Sequence, residues 1–302
     1  MTINHVALSG VTKKYGDQRA VDNVDLSLRS GECVALAGHN GAGKSTMIKL
    51  ILGLIRPTAG KVLLLGEDAS GKAAVRLRND IGYLPEMVAL HPSLTGVETL
   101  NFYAKLKGQP LSGNAALLSR VGISQAAHRR VGGYSKGMRQ RLALAQALLG
   151  KPKVLLFDEP TTGLDPASRL MFYELVRELR NDGATVLLST HALAELEGHT
   201  DRIIVMKNGS KIADGSMSQL RHTAELPIRI RLRHSTNGAA AGMLPDAWRR
   251  IDERQFELSC TESDKVAAIR SIGNIGFTID DIEIHTPSLD DMYAHFLRRE
   301  DA

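Results

Sequence analysis

The sequence predicts an α/β fold built on a parallel sheet buried on both faces, followed by a smaller α+β unit. Three observations predict it. VLLFDEP and ATVLLSTH are continuous apolar runs flanking SRLMFYELVRELRNDG, whose apolar residues have helical spacing. Continuous rather than alternating apolar strands belong to parallel sheets covered on both sides. The 302 residues are 43% hydrophobic but only 4% aromatic, which suits an aliphatic core. Near Glu225-Leu226-Pro227 the grammar changes: PIRIRLRH alternates Ile228, Ile230 and Leu232 with arginines, the period of a half-buried strand.

In chain order, residues 3–66 alternate short strand-like runs, ECVALAG and KVLLLG among them, with glycine turns. The polar, Lys/Arg-rich stretch from Gly66 to Asp80 is expected to hold a helix and loops, and residues 95–150 lack strand signals and read as helical. Between the two apolar strands, Leu170, Tyr173, Leu175, Val176 and Leu179 form the expected buried stripe of a helix that stops at Gly183. Beyond residue 227, QFELSC alternates Phe256, Leu258 and Cys260, SDKVAAIRSIG reads as a helix, and FTIDDIEIH as a strand. Ser288 is placed to cap a last helix, with Asp291 three residues on and Leu289, Met292, Tyr293 and Phe296 behind it. The expected domains are 1–222, with a helical subdomain at about 87–150, and 227–302. There is no internal repeat.

Composition narrows the function classes. The longest apolar runs, such as MIKLILGLI, are broken by Lys49 and fall short of the ~20 residues that span a bilayer. MTINHVALSG has no basic region followed by an apolar stretch, so no secretory signal is expected. Cys33 and Cys260 lie far apart in strand-like segments and are expected to be buried free thiols of a reducing cytosol. The formal charge of +5 is uneven: residues 221–302 hold 11 Lys/Arg and 14 Asp/Glu, a balance of −3, leaving +8 on the rest. A basic first part suits an anionic ligand or membrane surface, and nucleic acid equally.

GHNGAGKST, residues 38–46, fits G-x-x-x-x-G-K-[ST], between the apolar strand CVALA and the helical pattern TMIKLILGL. That context gives the motif meaning. Gly38, Gly41 and Gly43 let successive N–H groups curl inward at phosphate oxygens, and the helix N-terminus adds partial positive charge. Lys44 can then reach terminal phosphates, and the Ser45 hydroxyl suits Mg²⁺. In VLLFDEP, Asp158 ends a buried strand and can hold Mg²⁺. Glu159 points elsewhere and can orient or deprotonate a water. His191 follows LLST at the carboxyl end of the next strand, where ligands of α/β sheets gather, and is expected to contact a γ-phosphate. Tyr15, near a glycine, either stacks on a base or caps the core. YSKGMRQR, residues 134–141, opens a helix with a hydroxyl, a glycine and clustered cations, which makes a second anion site.

In this order the motifs resemble those of the nucleotide-binding subunit of ABC transporters, over residues 3 to about 220. The resemblance implies a P-loop NTPase fold: a RecA-like ABC core with an antiparallel β edge and a helical subdomain, ahead of the small α+β domain. It implies ATP and Mg²⁺ as cofactors. Tyr15 sits where the family stacks adenine. Gly38, His39, Asn40, Gly41, Ala42, Gly43, Lys44, Ser45 and Thr46 match Walker A, VLLFDEP matches Walker B with Glu159 as catalytic glutamate, TGLD with Asp165 looks like the D-loop, and His191 like the switch histidine. YSKGM takes the place of the LSGGQ signature, so Ser135, Lys136, Gly137 and Met138 are expected at the nucleotide held by a partner copy in a head-to-tail homodimer. This explains the second anion site.

Two departures stand out: Lys136 and Met138 replace Gly and Gln, and Glu86, in IGYLPEMVALHP, replaces the Q-loop glutamine as a possible Mg²⁺ ligand. Both are familiar in the branch serving ABC-2-type exporters. Within it, GYLPEMVALHPSLTGVETL, YSKGMRQRLALAQALLG and DIEIHTPSLDDMYAHFL are most similar to ATPases of transporters that help mature the copper sites of nitrous oxide reductase. This implies a copper or sulfur species as cargo, with a drug, lipid or polysaccharide as the alternative. Expected partners are integral membrane subunits on the cytoplasmic face of the inner membrane, reaching a periplasmic partner through them, and no nucleic acid. The rival from another class is a soluble ABC ATPase acting on ribosomes or DNA. Those chains generally carry two ATPase units or a long coiled-coil insertion, unlike this one. A P-loop kinase would leave YSKGM and TGLD unexplained.

Overall fold

A computed structural model of the chain describes residues 3–71, 74–234, 247–273 and 279–299. The chain divides into two compact units, Met1–Asp214 and Gly215–Ala302, so the division falls ahead of the expected residue 222.

The first unit is organised by a six-stranded sheet in the order β10-β9-β3-β8-β7-β6. Its strands are β3 (Cys33–Ala37), β6 (Ile81–Leu84), β7 (Val154–Asp158), β8 (Thr185–Thr190), β9 (Arg202–Lys207) and β10 (Ser210–Gly215). From β9 to β6 every neighbouring pair is parallel. Every residue of β3, β7 and β8 is buried, which is why these strands read as unbroken apolar runs. An antiparallel sheet of β1 (Asn4–Tyr15), β2 (Gln18–Arg29), β4 (Ala59–Leu64) and β5 (Glu67–Asp68) forms the expected β edge. One apolar cluster joins them: Val6, Leu28, Val34, Leu36, Met47, Leu156 and Leu187 all belong to it.

Helix α1 (Lys44–Ile51) follows β3, and α2 (Ala74–Leu77) lies in the polar stretch after β5. The segment between β6 and β7 carries α3 (Gly96–Leu106), α4 (Asn114–Arg120) and α5 (Lys136–Ala147) and no strand. Thr95 and Glu98 close a capping box at the start of α3. Helix α5 sits so close to β6 that a Cβ at Gly82 would lie 2.2 Å from the Ala147 carbonyl. Helix α6 (Pro166–Asn181) buries Phe172, Tyr173, Leu175, Val176 and Leu179. Leu170, expected in that stripe, is 61% exposed. The buried face runs through positions 172, 175/176 and 179, and residue 170 falls outside it at 100° per residue.

The second unit holds a sheet in the order β12-β13-β11-β14, from β11 (Ile228–Arg233), β12 (Trp248–Arg250), β13 (Gln255–Cys260) and β14 (Asp281–His285). Its helices are α7 (Met217–Ala224), α8 (Lys265–Ile272) and α9 (Leu289–Arg299). Ile228, Ile230, Leu232, Trp248, Phe256, Leu258 and Ile272 form its core. Ser288 and Asp291 cap each other ahead of α9: the Ser288 amide donates to Asp291 Oδ2 at 2.9 Å, and the Asp291 amide to Ser288 Oγ at 3.1 Å. Phe277 and Thr278, the start of the expected last strand, lie outside the described residues.

Both cysteines are free, but only Cys33 is fully buried; Cys260 ends an alternating strand and is partly exposed. Burial pushes the Cys33 thiol up to about 12, with the Asp201 charge adding to the effect. Near neutral pH a thiol-reactive disulfide reagent is therefore expected to modify Cys260 slowly and spare Cys33, with both reacting after unfolding in guanidinium. Two rapidly reacting thiols in the native protein would remove β3 from the sheet centre.

Candidate functional site

Four parallel strands deliver the site. β3, β8, β7 and β6 end together at Ala37, Thr190, Asp158 and Leu84. Loops leaving at 38, 191, 159 and 85 therefore emerge side by side at the sheet's carboxyl edge, where α/β folds bind ligands.

The loop from β3 to α1 is closely constrained. Gly41 and Gly43 have φ of +86° and +104°. A Cβ at Gly43 would lie 2.4 Å from the Ala20 carbonyl, and one at Gly38 only 2.8 Å from that of Met206. No side chain caps the start of α1, so its first amides are left to an incoming anion. Lys44 is 6% exposed. Its Nζ donates to the carbonyls of Gly38 at 2.5 Å and His39 at 3.3 Å, and lies 3.5 Å from Glu159 Oε1. A buried ammonium is tolerable only with such partners.

The two carboxylates have separate environments. Asp158 Oδ1 accepts from Ser189 Oγ at 2.6 Å and from Ser45 Oγ at 3.4 Å. Glu159 leaves the strand in the left-handed region, φ +49°. That conformation is uncommon outside glycine and asparagine and turns the chain sharply. Its amide donates to Ser189 Oγ at 2.9 Å, while Oε2 lies 2.8 Å from His191 Nδ1. With the carboxylate ionised, Nδ1 carries the proton, which leaves Nε2 facing outward on a ring whose side chain is 57% exposed.

Tyr15, Gly41, Lys44, Glu86, Glu159 and His191 share one open cleft, whose walls also include His39, Asn40, Gly43, Ser45 and Thr46. Tyr15 is 50% exposed at the end of β1, with Lys13 Nζ 5.1 Å from its ring centroid. It therefore does not cap the core. Glu86 lies just beyond β6. Burial raises the Tyr83 hydroxyl pKa, and the charges of Asp158 and Glu86 raise it further, a measure of the negative field at this edge. Ser45, Asp158 and Glu86 are oxygen donors of the hard kind Mg²⁺ takes.

The signature stretch lies outside this cleft: none of Ser135, Lys136, Gly137, Met138 or Asp165 lines it. Ser135 caps α5, its Oγ accepting from the Met138 amide at 3.2 Å, so its hydrogen remains free to donate. The Lys136 chain lies across Gly163, where a Cβ would meet Nζ at 2.4 Å. Asp165 caps α6 by accepting from the Ser168 amide at 2.9 Å and hydroxyl at 2.5 Å, and these bonds hold its carboxyl below the usual range.

Sequence reasoning missed two residues. Ser189 bridges Asp158 and the Glu159 amide from the intervening strand. Gln140, 6% exposed in α5, donates to the Pro160 carbonyl at 3.2 Å and ties the signature helix to the turn after Glu159. The sequence signal for Ser189 is weak: the apolar run of β8 ends in two hydroxyls, Ser189 and Thr190, and nothing local singles out the first.

The family model described as ABC transporter matches residues 21–162. The chain is 36% identical over 301 residues to the daunorubicin resistance ATP-binding protein DrrA3 of Streptomyces coeruleorubidus, covering 96% of this chain and 95% of that protein. It is 39% identical over 219 residues to the Nod factor export ATP-binding protein I of Ralstonia nicotianae, covering 71% of this chain and 68% of the relative. A solved ATP-binding subunit of an ABC transporter superposes with a TM-score of 0.67 at 31% identity, over 72% of this chain and 92% of that one. A dimeric bacterial ABC transporter cassette does so with a TM-score of 0.65 at 29% identity, over 70% and 98%.

Replacing Ser189 by Ala strips a buried carboxylate and a buried amide of their shared partner. It is expected to lower unfolding stability by about 1–3 kcal/mol, measured by denaturant titration, while Ser189→Thr restores part of the loss. An unchanged Ser189→Ala midpoint would remove the bridge.

Proposed function

The chain belongs to the ABC transporter family as an ATP-hydrolysing, ATP-binding subunit, and on that premise we propose how its residues share the work. Cassettes of this family dimerise and pair with membrane subunits. Here two copies join head to tail, so that each cleft is completed by Ser135, Lys136, Gly137 and Met138 of the other copy. The signature lies away from the chain's own cleft, in keeping with this reading.

ATP enters with its adenine against Tyr15 and its phosphates in the amide cradle of residues 38–46. Lys44 turns from the loop carbonyls and Glu159 toward the β- and γ-phosphates. Once Lys44 is engaged there, Glu159 is released to take a proton from the attacking water. His191 holds Glu159 through Nδ1–H and offers Nε2 to the γ-phosphate. Ser45 and Asp158, with Glu86 opposite, would hold Mg²⁺, which neutralises phosphate charge when bound. Asp165 acts as cap of the D-loop rather than as a direct ligand, since both its oxygens serve α6. The single observation carrying this reading is the meeting of Lys44, Asp158, Glu159 and His191 at one sheet edge.

Among the described residues no helix is long and apolar enough to cross a membrane. We place the subunit on separate integral subunits, as in its family, at the cytoplasmic face of the inner membrane, where a first unit carrying +8 suits an anionic surface. Its direction is export. The drug-resistance match spans the second unit as well, whereas the Nod factor match covers 71% of the chain, and this favours an organic cargo. A copper or sulfur species for nitrous oxide reductase maturation is supported by the three sequence stretches quoted above. Among the described residues no group of three or more His, Cys, Asp or Glu is placed to hold a metal ion. The complex with its membrane subunits, assayed for ATPase stimulation by an anthracycline and by copper(I), separates the two readings.

A Glu159→Gln variant is expected to bind ATP, accumulate as a dimer in sedimentation, and lose about 10²–10⁴-fold in turnover. Ordinary hydrolysis by that variant would end the assignment of Glu159 as base.

A further inference from the structure

The second unit has a charge pattern that nothing in ATP hydrolysis uses. Strand β11 turns Ile228, Ile230 and Leu232 into the core and presents Arg229, Arg231 and Arg233 on its other face. Two of these arginines are matched across the sheet. Arg231 stands opposite Glu257 of β13 and Glu283 of β14, and its Nε lies 2.8 Å from Glu257 Oε2. Arg233 stands opposite Asp281 and lies 3.8 Å from Glu283. Arg229 stands opposite Ser259 and His285, neither of them an acid. Cross-strand acids thus neutralise the row except at this end.

The unmatched end is where a cleft opens between the sheet and α9. Arg229, Arg231, His285, Asp291, His295 and Arg298 are among the residues that line it, and its volume is about 570 Å³, within the range of roughly 300–1,000 Å³ that holds small molecules. Among the described residues neither Arg229 nor Arg298 forms a salt bridge. His285 leans on Glu283, with Nε2 at 3.1 Å. Asp291 is the acid on this wall; its carboxylate accepts from the Ser288 amide and hydroxyl at 2.9 and 2.7 Å, bonds that hold its carboxyl below the usual range, with the Arg229 charge adding to the effect. Three guanidiniums and two imidazoles therefore face one engaged carboxylate, and of the three Arg231 is already held by Glu257, in a C-terminal region whose overall balance is −3.

We propose that this cleft is a binding site for a phosphoryl group, held by the guanidinium forks of Arg229 and Arg298 with His295 beside them. Arginine presents a planar pair of donors matched to two phosphate oxygens, and arginines that face one space without a close salt bridge are the recurring chemistry of such sites. The phosphoryl group belongs either to a soluble phosphorylated compound or to a lipid headgroup. The site is independent of the ATP cleft, which lies in the first unit.

The test uses the full chain with its first site saturated by ADP and Mg²⁺. One arm titrates pyrophosphate by calorimetry. The other measures co-sedimentation with phosphatidylcholine vesicles, with and without phosphatidylglycerol. Wild type is compared with Arg229→Gln/Arg298→Gln and with a control of equal charge, Arg249→Gln/Arg250→Gln on β12. At least one probe is expected to bind wild type and to weaken about tenfold or more in the first variant, with the control close to wild type. Both variants are expected to keep wild-type ATPase activity and melting temperature. Binding of pyrophosphate assigns a soluble ligand; binding of anionic vesicles alone assigns a headgroup. Failure of both probes, or an equal loss in the control, overturns the proposal whatever becomes of the ATPase reading.

Discussion

The parallel register of β3, β8, β7 and β6 is the constraint on which the rest depends. Ala37 pairs with Thr190, Asp158 with Ser189 and Leu84 with Phe157. The four loops that follow carry Lys44, His191, Glu159 and Glu86. A slip of one residue in any pairing would turn that strand's side chains to the opposite face and part the acid from its base. The register is secured by burial on both faces, since every residue of β3, β7 and β8 is inside. The aliphatic core positions polar groups that the core itself would never choose.

Those polar groups are tolerated because each has a partner. Lys44 has two carbonyls and Glu159; Asp158 has Ser189; Glu159 has His191 and Lys44. An unpaired buried charge costs several kcal/mol, whereas a paired one can come close to neutral. The same arrangement makes the site responsive. A phosphate competing for Lys44 changes the surroundings of Glu159 directly, because both lie in one ion pair of 3.5 Å. On the proposed role of Glu159, this geometry would link substrate binding to the release of the base with no need for a distant relay.

Much of this was legible in the sequence, and the reasons are local. Glycines at 38, 41 and 43, an apolar strand before them and a helix after them specify the phosphate loop without reference to distant residues. The helix stripe at 172–179 was readable, yet Leu170 falls on the opposite face, two residues or about 200° before Phe172, because an apolar residue need not belong to the buried stripe. Tyr15 could not be settled from sequence, since its exposure depends on how two sheets meet. Ser189 was missed because its partners are about 30 residues away along the chain and only the parallel register brings them together. Within the chain the Lys136 side chain crosses Gly163, a contact between two segments that pattern alone cannot join.

Charge then separates the two units by task. Residues 215–220 carry no charge, so the structural division also divides the balance into +8 and −3. A first unit meant to gather polyphosphate gains from a long-range positive field. Were the second unit equally positive, it would compete for the same anions over a wide surface. Its acids instead cancel its arginines along most of β11: Glu257 against Arg231, Glu283 against Arg233. Cancelled in this way, the sheet face offers anions little except at Arg229 and, on the helix facing it, Arg298. What distinguishes that end of the unit is therefore the absence of acids opposite Arg229 in the register, not an excess of cations: Ser259 and His285 stand beside Arg229, whereas Arg231 has Glu257 and Glu283 across from it and Arg233 has Asp281.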